Sequence, residues 1–447
     1  MVLMKSLRKK DLIRESWSVS WPMTLVMFFI FIIGLADVYV AGRIGKEIQA
    51  AYGVTSQVYF IFSIIAFGLT VGTVSLISQL FTSGKKTEFV TAIDSSLTVS
   101  VVSGAVLTIA GVLSAHLLVL SMDVPEVLKG YAVPLMRIYS LGLVFAYILI
   151  NTNGIMRACG KIKKSLITMA VVCLLNTFLN FYLAFRTPLG YQGIAVATVL
   201  STFIGCLMNI FFLRSLLSGF FKFSAASVKK IINIGWPAGL LQIFWQLAAI
   251  ALFLILAKLP KNNIEVMAAF TNGLKIESAI FLPAFAFNMA NAVVVGNLLG
   301  KKDRENAFSA GLVTALLGVA VVSVLTLIII SNSRPIAAML SNNPTVISES
   351  INYIRIALLF EPVMAWSVIL AGALNGAGDT KSVMFIVTLC VWAVRVPLSY
   401  FLGLYFGLGA SAVWWSMNLS IIAQAIFITR RYFSREWFHH SEKIIAY

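Results

Sequence analysis

Charge is what this 447-residue sequence has least of: Asp, Glu, Lys and Arg make up 11% of it, against 60% apolar residues and a mean hydropathy of +0.93. A water-soluble chain carries about a quarter charged residues, so a soluble enzyme or binding domain is excluded. Cysteine and histidine are scarce as well. Cys159, Cys173, Cys206 and Cys390 have no CxxC spacing, and His116, His439 and His440 share no spacing with them. That argues for buried free thiols and against a disulfide framework or a zinc site. Long polar segments are missing too, the longest lying near 216–230 and 332–350, so no sizeable soluble domain carries a separate activity.

What is present is a series of apolar runs of about 20 residues or more, the length that crosses a hydrocarbon core of roughly 30 Å. Twelve are found: 18–42, 52–81, 90–120, 131–156, 163–185, 191–214, 231–257, 264–298, 306–331, 351–375, 382–405 and 409–430. They are too long for porin strands, which alternate over about ten residues. Helices, which satisfy their own backbone hydrogen bonds in lipid, are expected instead. The fold class is therefore an all-α integral membrane protein. The first run continues to Ala41 with no small-residue cleavage site and reads as a transmembrane helix, not a removed signal peptide.

Counting Lys and Arg by alternate loops gives 23 on one side and nine on the other, with Lys275 and Arg395 inside spans. Basic residues stay on the cytoplasmic side, so both termini are expected there. The net charge of +17 is then a topology signal and an attraction to anionic lipid, and no nucleic-acid partner is expected.

The chain also contains an internal repeat. SWPMTLV at 20–26 resembles GWPAGLL at 235–241, SQLFTSGKK at 78–86 resembles GNLLGKK at 296–302, and GIMRACGK at 154–161 matches GALNGAGD at 372–379. The offset stays between 215 and 218 throughout. Each repeat holds six spans, so the two halves should form six-helix lobes related by a pseudo-two-fold axis along the membrane normal. The expected divisions are an N-terminal lobe at 1–215, a cytoplasmic linker at 216–230, a C-terminal lobe at 231–432 and a cytoplasmic tail at 433–447. Two such lobes suit alternating access, which makes transport the leading class.

One carboxylate stands out in FIIGLADVYVAGRIG, residues 31–45. Asp37 lies inside the first span, where an ionisable side chain costs about 3 kcal/mol even on insertion scales. Its repeat partner is Leu252, so packing does not demand an acid there. A functional role competes with a structural hydrogen bond to the turn at Gly42–Gly45. Asp37, Asn180 of the fifth span and Thr198 of the sixth lie about 8–11 Å below the outer face, from the helical rise per residue. Such hard oxygens suit a proton on Asp37 or a bound Na⁺.

Other internal charges invite blander explanations. Glu361 and Arg395 lie at nearly equal depth on consecutive spans and are expected to neutralise each other, with a substrate or ion role for Glu361 as the alternative. Lys275 and Glu277 are two apart and cannot share a helical face. Asp94 is near enough to the cytoplasmic face to snorkel. Pro22 either kinks the first span or simply starts it, as does its partner Pro237. Trp245, Trp366 and Trp414 offer faces to a cation, or pack helices.

Several stretches together resemble one family. Pro22 with Asp37 fifteen positions later, GRIG at 42–45, AAYG at 50–53, SLISQLFTSGKK at 75–86, ANAVVVGNLLGKKDRENA at 290–307, GALNGAGDTK at 372–381 and RVPLSY at 395–400 are similar to the signatures of the multidrug and toxic compound extrusion (MATE) transporters. The likeness covers nearly the whole chain. It implies a monomeric prokaryotic inner-membrane antiporter of two lobes, exporting amphipathic and often cationic drugs in exchange for H⁺ or Na⁺, with no cofactor. It places ion coupling on Asp37, Asn176, Asn180 and Thr198, and links Pro22 to helix bending near the ion site. An acid found in some relatives is Asn180 here, and the acids of the NorM-like branch fall on Trp245 and Met364, so the chain resembles the DinF-like side.

A flippase for lipid-linked saccharides is the alternative within transport, but it would need several cavity cations where only Lys275 and Arg395 are internal. An intramembrane enzyme would need a catalytic cluster, and none is found. A non-transporting receptor has no obvious use for the repeat.

Overall fold

A computed structural model describes residues 9–121, 125–217 and 222–445. Among them no strand occurs and nearly every residue is helical. The helices are α1 (Lys9–Ile44), α2 (Lys46–Thr82), α3 (Lys86–Leu120), α4 (Glu126–Leu141), α5 (Leu143–Ala158), α6 (Ile162–Arg186), α7 (Gln192–Leu213), α8 (Ala225–Ala257), α9 (Asn263–Gly300), α10 (Arg304–Ser331), α11 (Ser333–Leu340), α12 (Pro344–Ala357), α13 (Glu361–Gly376), α14 (Thr380–Leu389), α15 (Val396–Leu398), α16 (Ala410–Phe433) and α17 (Trp437–Ile445). A 3₁₀ turn, Leu358–Phe360, joins α12 to α13, and π-helical segments Cys390–Arg395 and Ser399–Tyr405 flank α15. Among the described residues eleven segments are long and apolar enough to cross a membrane, and the pair α4 and α5, bent by 48°, brings the number to twelve when counted as one span.

Local chemistry sets the boundaries. Gly84, at φ 81°, turns the chain between α2 and α3 in the left-handed region that glycine tolerates. The Asp303 carboxylate accepts from Asn306 N at 3.2 Å and caps α10, and Asn343 caps α12 ahead of Pro344. The fourth apolar run, read as one helix, breaks at Gly142, where the chain passes so close to α7 that a Cβ would sit 2.6 Å from Val199 Cγ2. The segment 332–350, read as a polar connection, is mostly helical in α11 and α12, and the tail forms α17. Residues 218–221 of the linker and 446–447 of the tail lie outside the described residues.

The chain forms two compact units, and their divide does not follow the linker. One unit is Leu25–Gly239; the other joins the residues up to Thr24 with Leu240–Tyr447. The divisions fall within α1 and α8, two residues after Pro22 and Pro237. Pro22 lies inside a helix already running from Lys9, so it is an interior proline and not a helix start.

In the N-terminal unit, α2 packs on α3, α4 and α5, and α7 on α5 and α6. The start of α8 belongs to it through backbone packing. A Cβ on Gly72 would lie 2.1 Å from Ile231 O, and one on Gly68 would lie 2.9 Å from Gly235 O. Val40, Ala41, Tyr52, Leu135, Tyr139 and Ile194 form one of its apolar clusters.

In the C-terminal unit, α9, α10, α13 and α16 enclose the largest apolar cluster. Phe270 and Trp414 stack within it with centroids 5.6 Å apart, and Tyr353 meets both rings edge-on. The beginning of α1 is held there by Thr314 Oγ1 donating to Ser16 Oγ at 2.8 Å.

Candidate functional site

Asp37 stands seven residues before the end of α1, Asn180 six before the end of α6, and Thr198 six after the start of α7. These offsets correspond to about 9–10 Å of helix. Helix rotation completes what depth begins, because Asn176 and Asn180 are four apart and share the α6 face turned toward α7.

The structure brings all four side chains together in the N-terminal unit. Asn180 Nδ2 donates to Asp37 Oδ1 at 2.5 Å and lies 3.2 Å from Asn176 Oδ1. Asn176 Nδ2 donates to Thr198 Oγ1 at 3.1 Å, and the Thr198 hydroxyl reaches Asp37 Oδ2 at 3.4 Å or Ile194 O at 3.2 Å. Asp37 is only 4% exposed, and its two oxygens face donors from three other helices. A hydrogen bond to the Gly42–Gly45 turn, the alternative to a functional role, is not among them; donors come from α2, α6 and α7.

The α2 donor is Tyr52, whose hydroxyl lies 3.3 Å from Asp37 Oδ2. Sequence reasoning passed over it, although it is the tyrosine of AAYG and faces Asp37 across the short turn between α1 and α2. Tyr139 packs edge-on against Tyr52 with centroids 6.4 Å apart, and Tyr59 lies 5.5 Å from Tyr139. The result is a carboxylate under an aromatic wall.

The cluster keeps a spare acceptor: Asn180 Oδ1 is buried without a hydrogen-bond partner. A buried unsatisfied oxygen costs about 1–3 kcal/mol, so its retention beside a carboxylate fits a cargo that brings positive charge. A proton on Asp37 Oδ2 would turn the Tyr52 or Thr198 hydroxyl from donor to acceptor. A bound Na⁺ would draw on Asp37, Asn176, Asn180 and Thr198, oxygen ligands of the hard type such cations take.

The remaining internal charges group in the C-terminal unit in a way depth did not predict. Glu361 and Arg395 form no ion pair. Arg395 Nε donates to Ser420 Oγ at 2.8 Å and the guanidinium lies 5.0 Å from the Trp245 ring centroid. Glu361 is 4% exposed and its Oε2 is unpartnered. Tyr353 OH donates to Glu277 Oε1 at 2.5 Å, whereas Lys275 is exposed. Equal depth on two helices leaves their rotation open, and the π-helical turn ending at Arg395 swings it toward Ser420 and Trp245. Asp94 does not snorkel to solvent; it is buried and accepts Lys222 N at 3.3 Å. Met364 lies in the apolar core, and all four cysteines are free and buried.

The chain is similar to known proteins along most of its length. A family model described as MatE matches residues 22–182 and again 237–401, following the internal repeat. The chain is 24% identical to the probable multidrug resistance protein NorM of Thermotoga maritima, over 96% of this chain and 93% of that protein. It is 23% identical to the uncharacterized transporter YisQ of Bacillus subtilis, over 94% of each. Its fold superposes with a TM-score of 0.88 on a MATE crystal structure in the straight conformation, at 21% identity over 97% of this chain and 100% of the other. A MOP superfamily transporter from Pyrococcus furiosus gives the same score over 97% and 99%. With the repeat, the spans and the two matched segments in agreement, the chain belongs to the multidrug and toxic compound extrusion (MATE) family of membrane transporters, and it is not an enzyme.

Proposed function

We propose that this transporter is a secondary antiporter that exports amphipathic, often cationic compounds in exchange for H⁺ or Na⁺, with both termini on the cytoplasmic side. The observation that carries this is the convergence of Asn180, Tyr52 and Thr198 on one buried carboxylate, Asp37, in the N-terminal unit. A lone carboxylate in a membrane-spanning unit is expensive to keep, and three aimed donors make it tolerable in its charged form. Neutralisation by the coupling ion weakens the grip of those donors, and drug and ion then compete through the same helices. Names of relatives such as the Thermotoga maritima multidrug resistance protein support the drug class.

Efflux of a fluorescent organic cation from vesicles containing the protein, first under an imposed pH gradient and then under a Na⁺ gradient, tests the proposal. Movement driven by one of the two, and lost in Asp37→Asn, is expected. Failure of both gradients to drive dye would remove the antiport mechanism.

A further inference from the structure

The sequence has no Asp or Glu between Glu126 and Glu265, while thirteen Lys and Arg fall in that stretch. Four of them meet at one corner of the N-terminal unit, where α6 begins and α7 ends. Lys161 Nζ donates to Ser215 Oγ at 3.2 Å, the Lys164 ammonium stands 5.3 Å from the Phe212 ring centroid, and the Arg214 guanidinium stands 4.2 Å from that of Phe211. Lys163 is exposed beside them. The acids of α3 are committed elsewhere, Glu88 to Lys85 at 3.0 Å and Asp94 to the Lys222 backbone.

The internal repeat supplies a matched comparison. Lys161 corresponds to Asp379, and Arg214 falls on the Arg430–Arg431 pair. In the C-terminal unit these positions close on each other, with Arg431 Nε 2.8 Å from Asp379 Oδ2. That corner is covered further by α17. Trp437 is fully buried there, Glu436 pairs with Arg431, Glu442 with Arg304, and Arg435 with Glu305 at 2.8 Å. The N-terminal unit has a lysine in place of the acid. The general bias toward basic loops accounts for positive charge on this side, but not for an acid partner in one repeat and none in the other.

We propose that Lys161, Lys164 and Arg214 form a binding site for the headgroup phosphate of an anionic phospholipid. A lipid is favoured over free phosphate because the corner continues into an exposed apolar stripe on α7, Leu200, Ile204, Leu207 and Phe211, spaced to line one helical face along which acyl chains can lie. Phe211, 56% exposed, sits where glycerol backbone would meet guanidinium. Arginine and lysine donate charge-assisted hydrogen bonds to phosphate oxygens.

Native mass spectrometry of the purified full chain, titrated with phosphatidylglycerol or phosphatidylcholine, tests this. Phosphatidylglycerol should bind in preference, and Lys164→Gln and Arg214→Gln should each weaken it about fivefold, the worth of one basic residue near an anionic surface. Lys164→Arg should keep it. Lys161→Asp, which offers Arg214 the partner that Arg431 has, should weaken phosphatidylglycerol binding while leaving the thermal melt unchanged or higher. Equal binding of the two lipids, or wild-type binding by the Lys164→Gln/Arg214→Gln double variant, would overturn the proposal. Displacement of the lipid by an equal concentration of inorganic phosphate would overturn the lipid assignment. Dye efflux is not read in this experiment, so its outcome is separate from that of the antiport proposal.

Discussion

Asn180 Nδ2 meets Asp37 Oδ1 at 2.5 Å across 143 residues of sequence. The other acids of α1, Asp11 and Glu15, lie more than twenty residues before Asp37, and the only other amide on α6 is Asn176, one turn from Asn180. Exchange of Asp37 for Asn keeps the shape and removes the charge. Asp37→Asn should insert and melt like wild type yet reduce gradient-driven efflux to the level of empty vesicles. Wild-type efflux by this variant would show that coupling lies elsewhere.

Tyr52 is one donor among three, and Tyr52→Phe removes only its hydroxyl. A hydrogen bond to a charged group contributes about 1.5–3 kcal/mol, and the 3.3 Å separation puts this one at the weak end. Efflux should fall several-fold without vanishing, whereas the Tyr52→Phe/Asn180→Leu double variant should match Asp37→Asn. Full activity in that double variant would mean that the donors do not hold the carboxylate for transport.

In the C-terminal unit the tight partner of the half-buried Glu277 is Tyr353, not Arg395. Tyr353→Phe strips Glu277 of its 2.5 Å donor and should destabilise by about 2 kcal/mol. Added to Glu277→Gln, the same change should cost much less. A double-mutant cycle on thermal stability reads the difference, and strictly additive losses would contradict the contact.

Two glycines of α2 give opposite expectations for the same substitution. Gly72→Ala drives a methyl into Ile231 O and should destabilise by about 1–3 kcal/mol, the usual range for overpacking. Gly53 has open space around it, and Gly53→Ala should stabilise by up to about 1 kcal/mol through helix propensity. Equal melting temperatures for the two variants would deny the close approach of α2 and α8.

The spans, the repeat and the family were legible because bilayer thickness forces long apolar runs and because duplicated segments kept their order. The grouping of Asp37, Asn176, Asn180 and Thr198 came from the family resemblance, and the common depth of Asp37, Asn180 and Thr198 in apolar helices agreed with it. Glu361 and Arg395 mark the limit. Their depths agree, but depth is one coordinate, and the rotation of Arg395 depends on a π-helical turn that no residue pattern announces. Tyr52 escaped notice for the opposite reason: tyrosine is so common in apolar helices that only its distance from Asp37 distinguishes it.

The assignment of helix ends to units has a bearing on how such a chain arose. The first turns of α8 complete the core of the N-terminal unit, and the first turns of α1 belong with the C-terminal one. An ancestor holding a single repeat could have buried its α2 glycine face only by borrowing the leading segment of a second copy, in the manner of a domain-swapped homodimer. Fusion of two such copies would fix that exchange within one chain. A half expressed alone from this gene would present Gly68 and Gly72 with nothing laid across them, so the two halves should need co-expression to assemble, even though each carries six spans of its own.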